Sequence, residues 1–404
     1  MSEARPAAGA ARWLARLRSR PAPAESRAIA DPNRVERLLV LKPHDQLGDF
    51  LLATPALRAL RERFPRARIA LVTREFLAPL AMRNHDVDVV WTLPRIGDAR
   101  DGWRWLEVVA QVARFRPDVA FVLNSVSRSK SADSLAALAR PKLVVGRSRV
   151  FAGAPWEGLP DDPWAAALAR PVRDPVYDLD LDVSSRSPHQ VDRILDLVRW
   201  TGAEPATRDL HLDLDERERA EGRARLAAVI DAAGLGGAST PVVGFHPGAA
   251  NALKCWPLDS FVALGVSIAS GDPPPLRLVV FDSPRERGRA AGVVAGLGAR
   301  GVAAGFVPAS GIESFAATCA ALDLLACNDS GVMHVATALG VPTVSFHSLG
   351  KPSEWGPRND RSVTFHAPGR IEAIPVEPAA EAVRTLLRLH LERSPRTERE
   401  RVSE

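Results

Sequence analysis

Cysteine is scarce: Cys255, Cys319 and Cys327 are the three in 404 residues, and no C-x-x-C pair occurs. That excludes a disulfide framework and a thiolate zinc site, and it suits a reducing compartment. Lysine is scarcer than the basic total suggests. Of the 53 basic residues only five are lysine and 48 are arginine, and the net charge is +5. So small an excess makes no case for a nucleic-acid partner. It suits an anionic substrate or an acidic membrane surface. No uninterrupted apolar run of about 18 residues is present, so no membrane-spanning helix is expected. The N-terminus lacks an apolar segment followed by a small-residue cleavage site, so no secretory signal is expected either. The expected location is the cytoplasm, and peripheral contact at the cytoplasmic face of a membrane is left open. The nine histidines contain no H-x-x-x-H pair. What remains is ordinary for a folded chain of about two domains: 46% apolar and 25% charged residues.

Residues 1–34 read as a basic leader, with Arg5, Arg12, Arg16, Arg18, Arg20 and Arg27 among prolines and alanines. Trp13, Leu14 and Leu17 interleave with the arginines at helical spacing. The segment is either a short amphipathic helix for anionic lipid or a solvated tail. From Val35 onward, short apolar runs alternate with segments of helical period. The runs are 37–41, 68–72, 87–91, 119–123 and 143–145 in the first half. In the second half they are 242–245, 278–281, 301–306, 322–326 and 343–346. Helical spacing covers 48–64, 103–115, 131–139, 189–200, 216–232, 258–269, 286–294, 312–320, 332–339 and 377–391. Such alternation predicts parallel sheets with helices on both faces. The expected organisation is a first domain over 35–185, a connector over 186–210, a second domain over 211–375, and a C-terminal helix and charged tail over 376–404. Residues 151–188, rich in Pro, Asp and Trp, read as an aperiodic excursion. Both domains are expected to be doubly wound α/β folds facing each other across a cleft, with ligands at the carboxyl ends of the strands.

Three segments fall at such strand ends. Lys42-Pro-His44-Asp45-Gln-Leu-Gly48-Asp49 follows the first run. There Asp49 is either a helix cap or a general base. Gly244-Phe-His246-Pro247-Gly248 is followed by Lys254-Cys-Trp256-Pro257. Lys254 is either a phosphate contact or an ordinary surface charge, and Trp256 a packing plug beneath the turn. Asn328-Asp329-Ser330-Gly331-Val-Met-His334 opens a helix with small residues, which leave backbone N–H groups free for an anion. His334 is alternatively a satisfied inner-face histidine.

Other motifs read as decoys. Gly296-x-Gly298-x-x-Gly301 follows a helix rather than a strand, so it marks a helix stop rather than a dinucleotide site. Asp86/Asp88, Asp178/Asp180/Asp182 and Asp213/Asp215 alternate with period two. That suits solvent-facing positions of edge strands better than a divalent cation site.

Taken in order, the three segments resemble glycosyltransferase family nine, the bacterial lipopolysaccharide heptosyltransferases. The likeness runs from Leu38–Lys42 through Leu47-Gly48-Asp49 to Thr54–Leu60 and Phe64-Pro65. It continues weakly at Ser129-Lys130-Ser131 and Leu135–Ala139. It is strong at His246-Pro247-Gly248, Lys254-x-Trp256-Pro257, Asn328–Gly331 with His334, Ala338–Pro342 and Trp355-Gly356-Pro357. The resemblance implies the GT-B architecture of two Rossmann-like domains and an inverting, metal-independent transfer from ADP-heptose, without a cofactor. The acceptor would be an anionic glycolipid, the lipopolysaccharide inner core or a related envelope glycan. It makes Asp49 the base. It makes Lys254, Asp329, Ser330, Gly331, His334, Glu286 and Gly248 the donor-binding set. Gly48, Arg128 and Lys130 are acceptor candidates. Two departures stand at the expected nucleotide pocket: Phe281-Asp282-Ser283-Pro284 where the family has small glycines, and His347-Ser348 where it has Gly. Rival readings are a relative using another nucleotide sugar, and a catalytically silent nucleotide-sugar-binding or assembly protein.

Overall fold

The computed structural model describes residues 23–44, 46–94, 99–148, 174–181, 187–236, 240–270, 276–284, 286 and 288–393. Most of the basic leader, Asp45 and most of the 151–188 excursion lie outside the described residues. The chain forms two compact units, Met1–Arg208 and Asp209–Glu404.

The first unit is built on strands β1 (Arg37–Leu41), β2 (Arg68–Arg74), β3 (Val89–Leu93), β4 (Val119–Val122), β5 (Leu143–Gly146) and β6 (Leu179–Asp180). Their order is β3-β2-β1-β4-β5-β6, all parallel, with Leu39 opposite both Ala70 and Ala120. Its helices are α1 (Pro23–Ile29), α2 (Leu47–Leu51), α3 (Thr54–Arg63), α4 (Ala78–Ala81), α5 (Ala99–Phe115), α6 (Lys130–Ala139) and α7 (Gln190–Arg199). Alternate strand residues face opposite ways. Leu39, Leu41, Val72 and Val122 pack with Val112 of α5 and Leu135 of α6. The other face meets α3 and α7, which pack on each other, and Phe121 contacts Trp200 there at 6.5 Å between ring centroids. Residues 186–210 were expected to be a connector. Helix α7 contributes Ile194, Leu195 and Val198 to the interior, so the first unit runs on through it to Arg208.

The second unit repeats the plan. Strands β7 (Val242–His246), β8 (Arg277–Phe281), β9 (Ala304–Val307), β10 (Leu324–Asn328), β11 (Thr343–His347) and β12 (Ser362–His366) run in the order β12-β11-β10-β7-β8-β9. Ala326 pairs with both Phe245 and Val344. Its helices are α8 (Glu216–Ala232), α9 (Leu258–Ala269), α10 (Arg289–Gly298), α11 (Ile312–Cys319), α12 (Gly331–Ala338), α13 (Pro352–Trp355) and α14 (Val376–Arg393). Helix α8 starts at a full capping box between Asp215 and Glu218. The stretch Ala252–Ala269 has mean hydropathy 1.3. Its helix α9 packs on α10 and α14, with Phe261 and Leu264 fully buried. Trp256 is the plug its sequence suggests: wholly buried, it stacks on Phe346 at 4.1 Å. All three cysteines are in this unit. Cys319 and Cys327 are buried free thiols, and Cys255 is half-buried.

Several local expectations change. The single helix read over 48–64 is two, α2 and α3, because Pro55 sits in the first turn of α3 and a proline cannot continue the preceding turn. Strand β12 alternates polar and apolar residues, Ser-Val-Thr-Phe-His, but it is a short, partly buried edge strand and was not among the expected runs. The paired aspartates are solvent-facing only in part: Asp86 and Asp178 are buried, whereas Asp88 is exposed. Asp178 Oδ2 accepts from Val144 N at 2.7 Å and Asp88 Oδ2 from Ile69 N at 2.7 Å. Asp86 forms a 2.9 Å ion pair with Arg58. These carboxylates secure backbone and side chains at sheet edges. Gly301 ends the turn after α10 with φ +75°, which makes Gly296–Gly301 a helix stop.

Candidate active site

In both units the strand order reverses beside the first strand, between β1 and β4 and between β7 and β10. Connections leave such a switch point in opposite directions, and the gap between them receives ligands.

In the first unit, Lys42 continues β1, its N–H bonded to Val72 O at 2.9 Å. Its side chain is 1% exposed and its Nζ has no hydrogen-bond partner. Burial pushes its pKa down to about 8, against the pull of Asp49. His44 Nε2 lies 3.1 Å from Ser127 O, joining the two loops of the switch point. Burial and the charge of Lys42 push its pKa to about 3, so the ring is neutral. The cap of α2 is Gln46, so Asp49 stands in the first turn and does not cap. Its carboxyl is buried. Burial raises its pKa and Lys42 lowers it. Helix α2 has only five residues, and the charge opposing burial at Asp49 is Lys42. Gly48 is buried beside Asp49, its carbonyl accepting from Leu52 N at 2.9 Å. On the β4 side, Asn124 Oδ1 and Ser125 Oγ are also buried without partners. Buried polar atoms are normally satisfied. Lys42 Nζ, His44 Nδ1, Asn124 Oδ1 and Ser125 Oγ, all lacking partners among the described residues, gather at these two strand ends.

Of the acceptor candidates, Lys130 is exposed at the start of α6. Arg128 is not a free cation. It bonds Asp133 at 2.5 Å and Asp174 at 2.5 and 3.1 Å, and lies over the Tyr177 ring at 5.0 Å. Tyr177 in turn donates to Asp133 at 2.6 Å. Arg128 thus holds α6 to the segment before β6, its charge shared between two carboxylates.

In the second unit, Lys254 Nζ meets Asp329 Oδ2 at 2.8 Å, bringing two predicted residues together across the switch point. Asn328, fully buried, ties the same loops. Its Nδ2 donates to Pro247 O at 2.9 Å and its Oδ1 accepts from Trp256 N at 3.0 Å. Arg289 adds bonds to Pro247 O at 2.9 Å and Trp256 O at 3.1 Å. Ser330 is the cap position of α12, yet its hydroxyl bonds no amide and is buried without a partner. Gly331 begins α12, and His334 is buried within it. Glu286 accepts from Ser283 Oγ. A Cβ at Gly248 would lie 3.1 Å from Glu286 Oε2, so the glycine lets the β7 loop pass against that carboxylate. A Cβ at Gly350 would lie 2.3 Å from Asp329 Oδ2, so Asp329 needs a glycine opposite it.

The two departures border the donor residues: His347 Nδ1 lies 3.9 Å from Asp329 Oδ2, and Ser283 bonds Glu286. Phe281 is buried against Phe315 at 5.4 Å. His347 is fully buried, with Nε2 3.1 Å from Ser345 Oγ and its pKa lowered to about 4 by burial. Their bulk is taken up by the interior. Sequence reading missed Lys42, Asn328 and Arg289 as site residues. Lys42 alone left a signal, a rare lysine ending an apolar strand. Among the described residues, no group of three or more His, Cys, Asp or Glu could hold a metal ion.

The family model for glycosyltransferase family 9 (heptosyltransferase) matches residues 164–375. Among solved structures, a family 9 glycosyl transferase from Veillonella parvula is 20% identical over 88% of this chain and 97% of its own, with a TM-score of 0.70. The ADP-heptose lps heptosyltransferase II of E. coli is 18% identical over 88% and 99%, with a TM-score of 0.62. E. coli heptosyltransferase WaaC, solved with ADP, is 19% identical over 88% and 99%, at 0.57. These likenesses show a shared fold of two Rossmann-like halves. No curated protein matches the chain in sequence. The family match spans more than half of the chain, including the Lys254–Asp329 pair and α12, and on that ground the protein belongs to glycosyltransferase family 9, the heptosyltransferase family.

Proposed function

We propose that the protein transfers a heptose from ADP-heptose to an anionic glycolipid of the lipopolysaccharide inner core or a related envelope glycan, with inversion and without a metal ion. The observation that carries this reading is the Lys254–Asp329 pair beside the first turn of α12. A lysine and a helix N-terminus together supply the positive charge that a departing diphosphate needs. Ser330, with no partner of its own, is free to donate to a phosphate oxygen. Gly331 and Gly248 let backbone approach, Glu286 serves the nucleoside part of the donor, and buried His334 supports the first turn of α12. The first unit contributes the base. Asp49 has no cap to serve and is held in a desolvated setting, where a carboxylate is a stronger base than in water. Exposed Lys130 is the acceptor contact that remains.

In a single displacement the acceptor oxygen attacks the anomeric carbon and its proton passes to Asp49. The bond from that carbon to the phosphate oxygen breaks, and the charge gained by ADP is taken up by Lys254 and the amides of α12. The test is turnover of ADP-heptose by purified protein in excess chelator, alongside Asp49→Asn. The parent should stay active. The variant should bind ADP normally and lose about 10²–10⁴-fold in turnover, the usual worth of general-base catalysis. A variant faster than a third of the parent rate would move the base elsewhere. Strict dependence on added magnesium or manganese would overturn metal independence. Parallel assays with other nucleotide sugars address Asp282 and Ser283, which stand beside Glu286 in place of the family's glycines.

A further inference from the structure

We propose that Lys42 is a positioning residue for Asp49: its buried ammonium holds the carboxylate in the charged form that accepts the acceptor's proton. This inference rests on Asp49 being the base. Lys42 ends β1 and Asp49 stands in the first turn of α2, at opposite ends of one short loop. Lys42 is 1% exposed and Asp49 7% exposed. The ammonium has no hydrogen-bond partner, and no ion pair joins it to Asp49 directly. Both groups are buried at the same switch point, where the charge of each opposes the effect of burial on the other. A buried lysine with no partner is costly and calls for a reason.

The neighbouring charges leave Lys42 alone in this role. His44 on the same loop is neutral. Arg74, at the end of β2, acts on His44, and its guanidinium reaches Pro94 O at 3.2 Å. The β4 side offers uncharged Asn124 and Ser125. Among the described residues, Lys42 is the one charge acting on Asp49. Burial pushes Asp49 toward its protonated form, in which it could not serve as a base. Lys42 opposes that push. In low dielectric a nearby charge acts strongly without contact, and distance leaves the carboxylate oxygens open to the acceptor hydroxyl.

The experiment is the pH profile of kcat/KM for Lys42→Met, Lys42→Gln, Lys42→Arg and Asp49→Asn, with the double variant Lys42→Met/Asp49→Asn. Two neutral replacements guard against one failing to fold, and ADP binding checks the integrity of each variant. Removing an opposite charge at this range should move the acid limb up by about 1–3 pH units. Arginine, which keeps the charge, should return the limb toward the parent position. In the Asp49→Asn background, Lys42→Met should have no further effect on turnover, since residues acting through one another are not additive. An unmoved acid limb with reduced activity would overturn the proposal. So would a raised KM for acceptor at unchanged kcat, which would make Lys42 an acceptor contact. An active Asp49→Asn would instead sink the base reading, and that outcome is distinct from either.

Discussion

A lysine with its charge inside the protein carries a cost that shows in stability as well as in chemistry. The folded-state pKa of Lys42 is lowered from 10.5 to about 8. Below pH 8 the native protein holds a proton against its solvation preference. Between pH 8 and 10.5 it releases that proton before the unfolded chain does, and stability rises relative to a variant without the group. Lys42→Met should therefore be more stable than the parent at pH 7, by about 3 kcal/mol at most, the worth of such a shift. The gap should close as pH approaches 10.5, read from urea midpoints at each pH. Greater stability with lower turnover would fit a strained site. Lys254 is different: it is partly exposed and already paired with Asp329. Charge-assisted contacts contribute about 1.5–3 kcal/mol, so Lys254→Ala should weaken ADP binding roughly tenfold or more in calorimetry. Unchanged affinity would count against the donor assignment. At this scale the sequence was partly legible. Asp49, Lys254 and Asp329 stand in motifs at strand ends, where function gathers. Arg128 has one partner five positions away, Asp133, and another, Asp174, 46 positions away, and nothing in the sequence announces that second pairing. Lys42 was visible as a residue, but its burial depends on neighbouring strands.

Elements were more legible than residues where the signal was local. Helix α8 begins at its capping box and α9 after Pro257, both at the expected positions. The break between α2 and α3, marked by Pro55, and the short alternating edge strand β12 escaped, their local signals being weak beside the packing that fixes them. Close approach of two elements is another such effect. Helices α8 and α11 pack on each other at Gly222, where an added Cβ would lie 2.0 Å from the carbonyl oxygen of Ala317. That oxygen belongs to a helix backbone and cannot swing aside. Gly222→Ala should destabilise the second unit by about 1–3 kcal/mol, the usual cost of overpacking, despite alanine's better helix propensity. A thermal midpoint equal to the parent's would show that the helices can separate freely.

At the scale of the whole molecule, the same strand order occurs twice, and each unit encloses its own apolar cluster. Alternation of strand and helix in the sequence foretold this plan, because parallel strands demand crossovers and crossovers demand helices. A unit with its own core can fold alone. The fragment Asp209–Glu404 should unfold cooperatively and bind ADP within about threefold of the intact chain, a margin under 1 kcal/mol. Loss of cooperativity in the fragment would make the first unit a partner in its folding.

The cysteines give that second unit a clock of its own. Cys319 and Cys327 are sealed in the interior, with burial raising the thiol pKa of Cys319 to about 12 and pushing that of Cys327 well above its ordinary value. They stay protonated and unreactive until the unit opens. Cys255 adjoins Lys254 and is half-buried, so it answers a reagent while the fold is intact. One alkylating agent therefore keeps two times at once: a fast label beside Lys254, and a slow pair that counts openings of the second unit alone. Nucleotide that binds only the closed form should slow the second in proportion to its concentration.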